Sequence, residues 1–170
     1  MNEDQKLLLT DWFRRARESQ YIHYASAEYY SNKHYWLGIP SMALGVIVGT
    51  AVFASFETEA TGAFKIALGL ISILASVLTA LNTFLDFSSK AEKHRTAAAG
   101  YSSIRKTLER IKTSEQNYIN TFDNEMEKLQ KELDALADKS PNPPKKVSKK
   151  EINRLKSTEH KKIFHIPASR

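Results

Sequence analysis

A row of hydroxyl side chains on one apolar segment is the feature of this sequence best placed to do chemistry. The row recurs at spacings of three and four residues, so a helix carries all of it on one face: Ser72, Ser76, Thr79, Thr83 and Asp86. Within a membrane, a hydroxyl face closed by an acid can line a water path. The alternative is packing, because a Ser or Thr hydroxyl can bond to the carbonyl four residues back. The sequence leaves pore lining and packing both open.

Three histidines and a tyrosine form a second candidate group. His23, His34, His94 and Tyr101 fall on segments with helical spacing, and we expect His34 and His94 to approach the inner membrane face from two helices. All four are candidates for a cytoplasmic interface. A role as metal ligands or as a pH sensor competes with that of ordinary hydrogen-bonded histidines.

The motifs that most enzymes need do not occur in the sequence. It has no Gly-rich phosphate loop, no zinc-ligand spacing, no Gly-x-Ser-x-Gly elbow and no paired-carboxylate constellation. None of its 170 residues is a cysteine, which excludes disulfides, thiolate metal sites and a cysteine nucleophile. We therefore expect neither an enzyme nor a bound cofactor or metal.

Two uncharged runs must position the hydroxyl row. Tyr35 to Phe56 and Ile66 to Leu85 contain no acidic or basic residue. At about 1.5 Å of rise per residue, roughly 20 helical residues span the 30 Å hydrocarbon core of a bilayer. A buried helix pair in a soluble protein would normally carry a polar face, which the first run lacks. The sequence predicts transmembrane helices at about residues 37–56 and 66–86.

The basic residues near these runs predict the orientation. The connection between the runs holds a single basic residue, Lys65, whereas Lys33 precedes the first run and a cluster of Lys and Arg follows the second. Basic side chains near membrane helices favour the cytoplasmic side. We therefore expect both termini in the cytoplasm.

The two runs, together with apolar residues at helical spacing outside them, predict an all-α integral membrane protein. Its expected architecture is a two-helix transmembrane hairpin with long cytoplasmic helical extensions. Residues 3–35 carry an amphipathic pattern that leads into the first run, with a kink expected at Pro40. From Phe87 a three-four spacing predicts a coiled-coil-like arm, or two helices if it breaks at Thr113. We expect the N-terminal helix and the arm to pack as an antiparallel hairpin.

Three further residues are candidates for helix packing or oligomer contacts. Gly45 and Gly49 form a small-xxx-small pair on the first run, which lets helix backbones approach closely in lipid. The pair can serve the hairpin itself or a contact between protomers. Asn82 lies beside the hydroxyl row, where its amide needs a partner on a neighbouring helix.

A basic tail follows the helical part. Residues 1–139 form one membrane domain, the prolines of Ser140–Pro144 end its last helix, and residues 140–170 form a Lys-rich tail with a possible short helix. The tail can bind the anionic lipids of the inner leaflet or remain flexible and solvated. Nucleic acid is not the expected partner of such a tail on a membrane protein.

Several segments together resemble the SLATT family, two-helix membrane effectors associated with nucleotide-sensing proteins in bacterial defence systems. The segments are His34–Pro40, Val48–Ala54, Thr79–Leu85 and Lys90–His94, with Tyr101 and Arg105, within residues 5–139. Positions commonly shared in the family map onto His23, His34, Gly38, Pro40, Gly49, Thr50, Thr83, Glu92, His94 and Tyr101.

The resemblance implies a membrane effector of an antiphage or conflict system. Such an effector is expected to oligomerise in the bacterial inner membrane and to form a pore or disrupt it, causing abortive infection through growth arrest or death. The resemblance also implies that the effector responds to a nucleotide second messenger or to a separate nucleotide-sensing protein. The alternative function is a non-conducting membrane-anchored adaptor that recruits a soluble partner. A direct nucleotide receptor would hold phosphates through Arg14, Arg15, Arg105 or Arg110.

Overall fold

The computed structural model describes residues 2–55, 61–114, 118 and 121–159. Its helices are α1 (Glu3–Ala54), α2 (Gly62–Leu85), α3 (Phe87–Thr113), α4 (Phe122–Lys139) and α5 (Lys145–Glu159). No strand occurs in the described part of the chain. The predicted all-α fold is confirmed. Contacts divide the chain into a terminal unit, Met1–Glu28 with Glu92–Arg170, and a hairpin unit, Tyr29–Ala91.

The hairpin unit contains the two apolar runs. The windows that are long and apolar enough to cross a membrane lie in α1 and in the helical stretch that begins with α2, and almost none of their residues is buried within the protein. A core helix of a soluble protein would bury such a window, so this exposure favours lipid as the surroundings. Helix α1 includes Pro40 within its 52 residues.

A single residue, Asp86, separates α2 from α3. Asp86 has a left-handed backbone with φ 42° and ψ 52°, which ends α2. Its side-chain Oδ1 accepts a hydrogen bond from the Ser89 amide at 3.2 Å. This bond satisfies one of the amides that the first turn of α3 would otherwise leave without a partner. Asp86 thus ends one helix and begins the next.

The terminal unit has a core built by three helices. Helix α1 supplies Leu9 and Ala16 to this core. Helix α3 supplies Ile104, Leu108 and Ile111, and α4 supplies Phe122, Met126 and Leu129. All of these residues are buried, and their three-four spacing is what gives each helix one apolar face. The break at Thr113, where α3 ends, lets α4 turn back, so the apolar edge of α3 is covered by both α1 and α4.

Gly100 marks the close approach of α4 to α3. A Cβ atom placed at Gly100 would lie 2.8 Å from Cδ1 of Leu136, which is closer than real Cβ contacts. The glycine therefore makes room for a leucine of the returning helix, and α3 continues through it without a break.

Helix α5 packs within the terminal unit. The sequence leaves this segment open between a flexible tail and a short helix near residues 149–158, and residues 145–159 form a helix with Glu151 and Leu155 buried. The guanidinium carbon of Arg154 lies 6.0 Å from the centre of the Tyr21 ring of α1. The lysines of α5 remain on its exposed side: Lys145, Lys146, Lys149, Lys150 and Lys156.

Candidate functional site

The upper part of the hydroxyl row lines a groove between α1 and α2 in the hairpin unit. The groove has a volume of about 510 Å³ and is lined by Ser41, Gly45, Val48, Ser72, Ala75, Ser76, Thr79 and Ala80. Of the row, Ser72 is half-buried while Ser76 and Thr83 are exposed. The row from Ser72 to Thr79 therefore faces the groove beside α1, while Ser76 and Thr83 keep much of their surface exposed.

Each hydroxyl of the row donates to a carbonyl of its own helix. The acceptor always lies four residues back: Ser72 to Leu68 at 2.8 Å, Ser76 to Ser72 at 2.9 Å, Thr79 to Ala75 at 2.9 Å and Thr83 to Thr79 at 3.0 Å. These bonds are those of the packing alternative. They use the hydroxyl protons but leave oxygen lone pairs that can still accept from water. The face is therefore tolerated by lipid and can also be wetted.

Ser41 of α1 reaches the row directly. Its Oγ lies 2.6 Å from Oγ1 of Thr79. Because Thr79 donates its own proton to the Ala75 carbonyl, Ser41 is the donor in this bond. In the sequence, Ser41 lies on the same helical face as Gly45 and Gly49, but no partner for its hydroxyl is predicted. It is one of the few buried polar residues of the hairpin unit, and it ties the two apolar helices together.

The predicted packing residues have different surroundings. A Cβ at Gly45 or Gly49 would meet nothing within 4 Å, so neither glycine is in close contact with α2. Asn82, in contrast, lies beside α1, with its Nδ2 3.4 Å from the Cβ position of Gly38. The Oδ1 of Asn82 is buried and accepts no hydrogen bond from the described residues. These three residues remain candidates for contacts between protomers.

A buried histidine pair occupies the terminal unit. The Nδ1 atoms of His23 on α1 and His94 on α3 lie 2.9 Å apart, and the rings are only 5 % and 1 % exposed. Tyr101 stacks on His23 with ring centres 5.5 Å apart. Burial, and then the nearby His94, lower the pKa of His23 to about 4; burial also lowers the pKa of His94.

The sequence places His34 and His94 near the inner membrane face and predicts no pairing between them. In the structure, the Nδ1 of His94 lies within hydrogen-bond distance of the Nδ1 of His23. His34 belongs to the hairpin unit, where its ring lies 5.7 Å from that of Tyr35. No group of three or more His, Cys, Asp or Glu side chains in the described ranges is arranged to hold a metal ion.

Two of the four candidate phosphate-binding arginines are engaged by acids. Arg14 contacts Asp11 at 2.7 Å and Glu18 at 3.7 Å, and Arg15 contacts Asp11 at 2.8 Å. The hydrogen bond from Arg14, together with both positive charges, lowers the pKa of Asp11 despite some desolvation. Arg105 is half-buried with an Nε that has no described acceptor, and Arg110 is exposed. The four arginines form no common cluster in the described contacts.

Aromatic residues that the sequence places at the inner membrane interface, among them Tyr30 and Phe87, form a cluster with two lysines. Phe87, the first residue of α3, is buried in the hairpin unit and stacks with Tyr30 of α1 at a ring distance of 6.0 Å. The ammonium groups of Lys33 and Lys90 lie 5.3 Å and 5.6 Å from the centre of the Phe87 ring. The sequence indicates the aromatic belt and the flanking lysines, but not that both ammonium groups lie over one ring.

Comparison with known protein families identifies the family of this chain. No curated protein and no solved structure matches it. A family model described as SMODS and SLOG-associating 2TM effector domain family 4 matches residues 7–164, which includes the hairpin unit, the histidine pair and α5. The two long apolar helices fit a domain with two transmembrane segments. The chain therefore belongs to family 4 of the SLATT effector domains, as the sequence resemblance predicted.

Proposed function

We propose that this chain is a membrane effector of a bacterial antiphage or conflict system. It oligomerises in the inner membrane, with both termini cytoplasmic, and forms a pore or disrupts the bilayer. Growth arrest or cell death follows, in response to a nucleotide second-messenger signal. No catalysed reaction is part of the proposal. Its family, whose members associate with SMODS and SLOG proteins, supports the effector role.

The observation that carries the proposal is the polar face of α2. Ser76 and Thr83 are exposed on a helix whose other exposed side chains are almost all apolar. Their internal hydrogen bonds let the face lie in lipid at little cost, while their oxygens can accept from water in a channel. A helix with this property suits an effector that is inserted harmlessly and conducts only after assembly.

Assembly requires several copies, because two helices cannot enclose a water path. The open backbone at Gly45 and Gly49 supports a contact between protomers, since no described residue of the same hairpin fills the space beside either glycine. The buried Oδ1 of Asn82 has no donor among the described residues, so it would gain a hydrogen bond if assembly exposes it to a donor on a neighbouring helix.

The signal is proposed to reach this chain through a separate nucleotide-sensing protein. Arg14 and Arg15 share Asp11 as an ion-pair partner, so a phosphate would have to displace a carboxylate to use them. A direct receptor remains testable by the binding of labelled cyclic nucleotides to the purified chain.

The test is uptake of a membrane-impermeant dye, with membrane potential followed in parallel, in bacteria induced to express the chain. The variant Ser76→Leu/Thr83→Leu replaces the exposed hydroxyls and spares Thr79, whose bond to Ser41 holds the hairpin. We expect it to insert normally and to lose at least tenfold in the rate of dye uptake.

The matched control is Ala67→Leu on the opposite face of α2. At 100° per residue, its distance of nine positions from Ser76 places it about 180° away. The control should retain full permeability. Unchanged leakage in the hydroxyl variant would assign the row to packing and reject a pore lined by α2. If the wild type depolarises cells only when a nucleotide-producing partner is present, the chain is an effector under control of that signal.

The adaptor alternative cannot use the apolar faces of α3 and α4 to bind a soluble partner. Leu108, Ile111 and Leu129 are buried in the core of the terminal unit and cannot recruit a partner while it is folded. Leu7 and Leu8 near the start of α1 are instead 71 % and 41 % exposed. An adaptor would lose toxicity on Leu7→Ser/Leu8→Ser and keep it on Ser76→Leu/Thr83→Leu. The pore proposal expects the reverse.

A further inference from the structure

The cluster of Lys33, Lys90 and Phe87 has unused hydrogen-bond donors. Each ammonium group lies over the Phe87 ring, and that of Lys33 also lies 4.6 Å from the centre of Tyr29. A lysine has three N–H donors and no acceptor, and a ring face uses few of them. Neither ammonium group has an ion pair or hydrogen bond to a described residue, whereas Lys131 pairs with Glu127 at 2.6 Å. Two uncompensated positive charges therefore meet at one ring.

The aromatic side chains hold this arrangement in place. Phe87 is only 8 % exposed, it stacks with Tyr30, and Tyr30 meets Tyr29 edge-on at 5.3 Å. The ammonium groups of the two lysines lie over this aromatic surface. Because both nitrogens lie within 6 Å of one ring centre, their flexible stems can converge on a single anion.

The position along the helices identifies the source of the anion. Trp36, three residues after Lys33, is 81 % exposed, and Phe84, three residues before Phe87, is 86 % exposed. Exposed aromatics at the end of an apolar run mark the membrane–water interface, where the phosphates of lipids lie. An anionic inner leaflet attracts basic side chains at that depth.

We propose that Lys33 and Lys90, held over Phe87, bind the phosphate of an anionic glycerophospholipid such as phosphatidylglycerol. The phosphodiester oxygens accept from both ammonium groups, and its charge neutralises the pair. A zwitterionic lipid carries a cation next to its phosphate, and that cation is repelled by the two lysines. The site rests on insertion of the hairpin unit in a bilayer but not on pore formation, so lipid binding and dye uptake can fail separately.

The test uses the purified full chain in a neutral detergent, titrated with dihexanoyl phosphatidylglycerol, dihexanoyl phosphatidylcholine or inorganic phosphate. Thermal unfolding reports binding. We expect phosphatidylglycerol to bind at least tenfold more tightly than phosphatidylcholine. The variant Lys33→Gln/Lys90→Gln should bind phosphatidylglycerol about 30-fold more weakly, which is about 2 kcal/mol at 1.4 kcal/mol per tenfold.

The control removes the same charge elsewhere. Lys93→Gln/Lys106→Gln changes two exposed lysines of the terminal unit and should keep the affinity of the wild type. A second variant, Phe87→Leu, retains both charges without the ring and should lose part of the preference for phosphatidylglycerol. Equal affinity in the wild type and Lys33→Gln/Lys90→Gln would overturn the proposal, as would phosphatidylcholine binding as tightly as phosphatidylglycerol. Inorganic phosphate binding as tightly as the lipid, with the same dependence on the lysines, would reassign the site to a soluble anion.

Discussion

His23 and His94 share one hydrogen bond inside the terminal unit, with their Nδ1 atoms 2.9 Å apart. Such a bond needs one ring to donate its Nδ1 proton and the other to accept with an unprotonated Nδ1. If both rings were protonated, two N–H groups would face each other within a buried space. The pair is therefore compatible with two neutral rings or with one added proton, but not with two.

Acidification should weaken the terminal unit because of this pair. The pKa of His23 falls from 6.5 to about 4 on folding, so below pH 6.5 the unfolded chain binds a proton that the folded chain excludes. Stability is therefore full above pH 6.5 and is lost as the pH falls towards 4, by about 3 kcal/mol at 1.36 kcal/mol per pKa unit. Chemical denaturation of the purified chain between pH 7.5 and 4 measures the loss.

The variant His23→Asn/His94→Asn isolates the contribution of the pair. Asparagine places an amide near the position of Nδ1 and does not titrate, so the double variant should lose most of the pH dependence between 6.5 and 4. His34→Gln, in the hairpin unit, should keep the full dependence. An unchanged slope in the double variant would mean that carboxylates, not these histidines, cause the loss.

Removal of the bond between Ser41 and Thr79 should loosen the transmembrane pair. Thr79→Val keeps the shape of the side chain but removes the oxygen that accepts from Ser41 at 2.6 Å. Hydrogen bonds between membrane helices contribute on average about 0.6 kcal/mol and at most about 1.7 kcal/mol. Unfolding in mixed micelles should show a destabilisation within this range. Ser76→Ala, which removes only a hydrogen bond within α2, should have a smaller effect on stability. If both variants destabilise the protein equally, the bond between Ser41 and Thr79 does not link the two helices.

Asp86 provides a test that separates structure from ion conduction. Replacement by Ala removes the cap on the Ser89 amide and leaves a side chain that disfavours φ 42°, so it should cost about 1–2 kcal/mol of stability. Asn caps helices well and tolerates left-handed backbone, so Asp86→Asn should remain stable. If Asp86 closes a cation path, Asp86→Asn should nevertheless reduce cation flux severalfold. Flux equal to that of the wild type would leave Asp86 with the structural role alone.

The fold could be predicted from the sequence because its signals are local. Uncharged runs of 20 residues and three-four apolar spacing determine which segments are helical and which faces they bury, and the all-α prediction is confirmed. The partner of His94 could not be predicted in this way. His23 and His34 are 11 residues apart and lie on nearly the same face of α1. By helical spacing alone, either of them could contact His94 of α3. Only the axial register of two packed helices decides between them.

Contacts between distant segments could not be predicted from the sequence for a similar reason. Ser41 is one small polar residue among apolar ones, and nothing local indicates that it meets Thr79, 38 residues later. Helix α5 buries only Glu151 and Leu155 from a Lys-rich segment, which is too weak a pattern to distinguish from a solvated tail. Both contacts depend on where separate helices meet, which neither composition nor periodicity encodes.

The docking of α5 provides the last prediction. Leu155 is the main apolar residue that α5 buries, and four positions earlier Glu151 is held at 3.0 Å by Arg154. Leu155→Ala should therefore weaken the docking by about 2 kcal/mol, at the low end for a buried leucine. Because proteolysis follows the open population when opening is fast, trypsin should cut after Lys149, Lys150 or Lys156 about 30-fold faster. Asn153→Ala, on the exposed side, should leave the rate unchanged. Equal cleavage of wild type and Leu155→Ala would mean that α5 is already detached in solution and that Leu155 does not hold it in place.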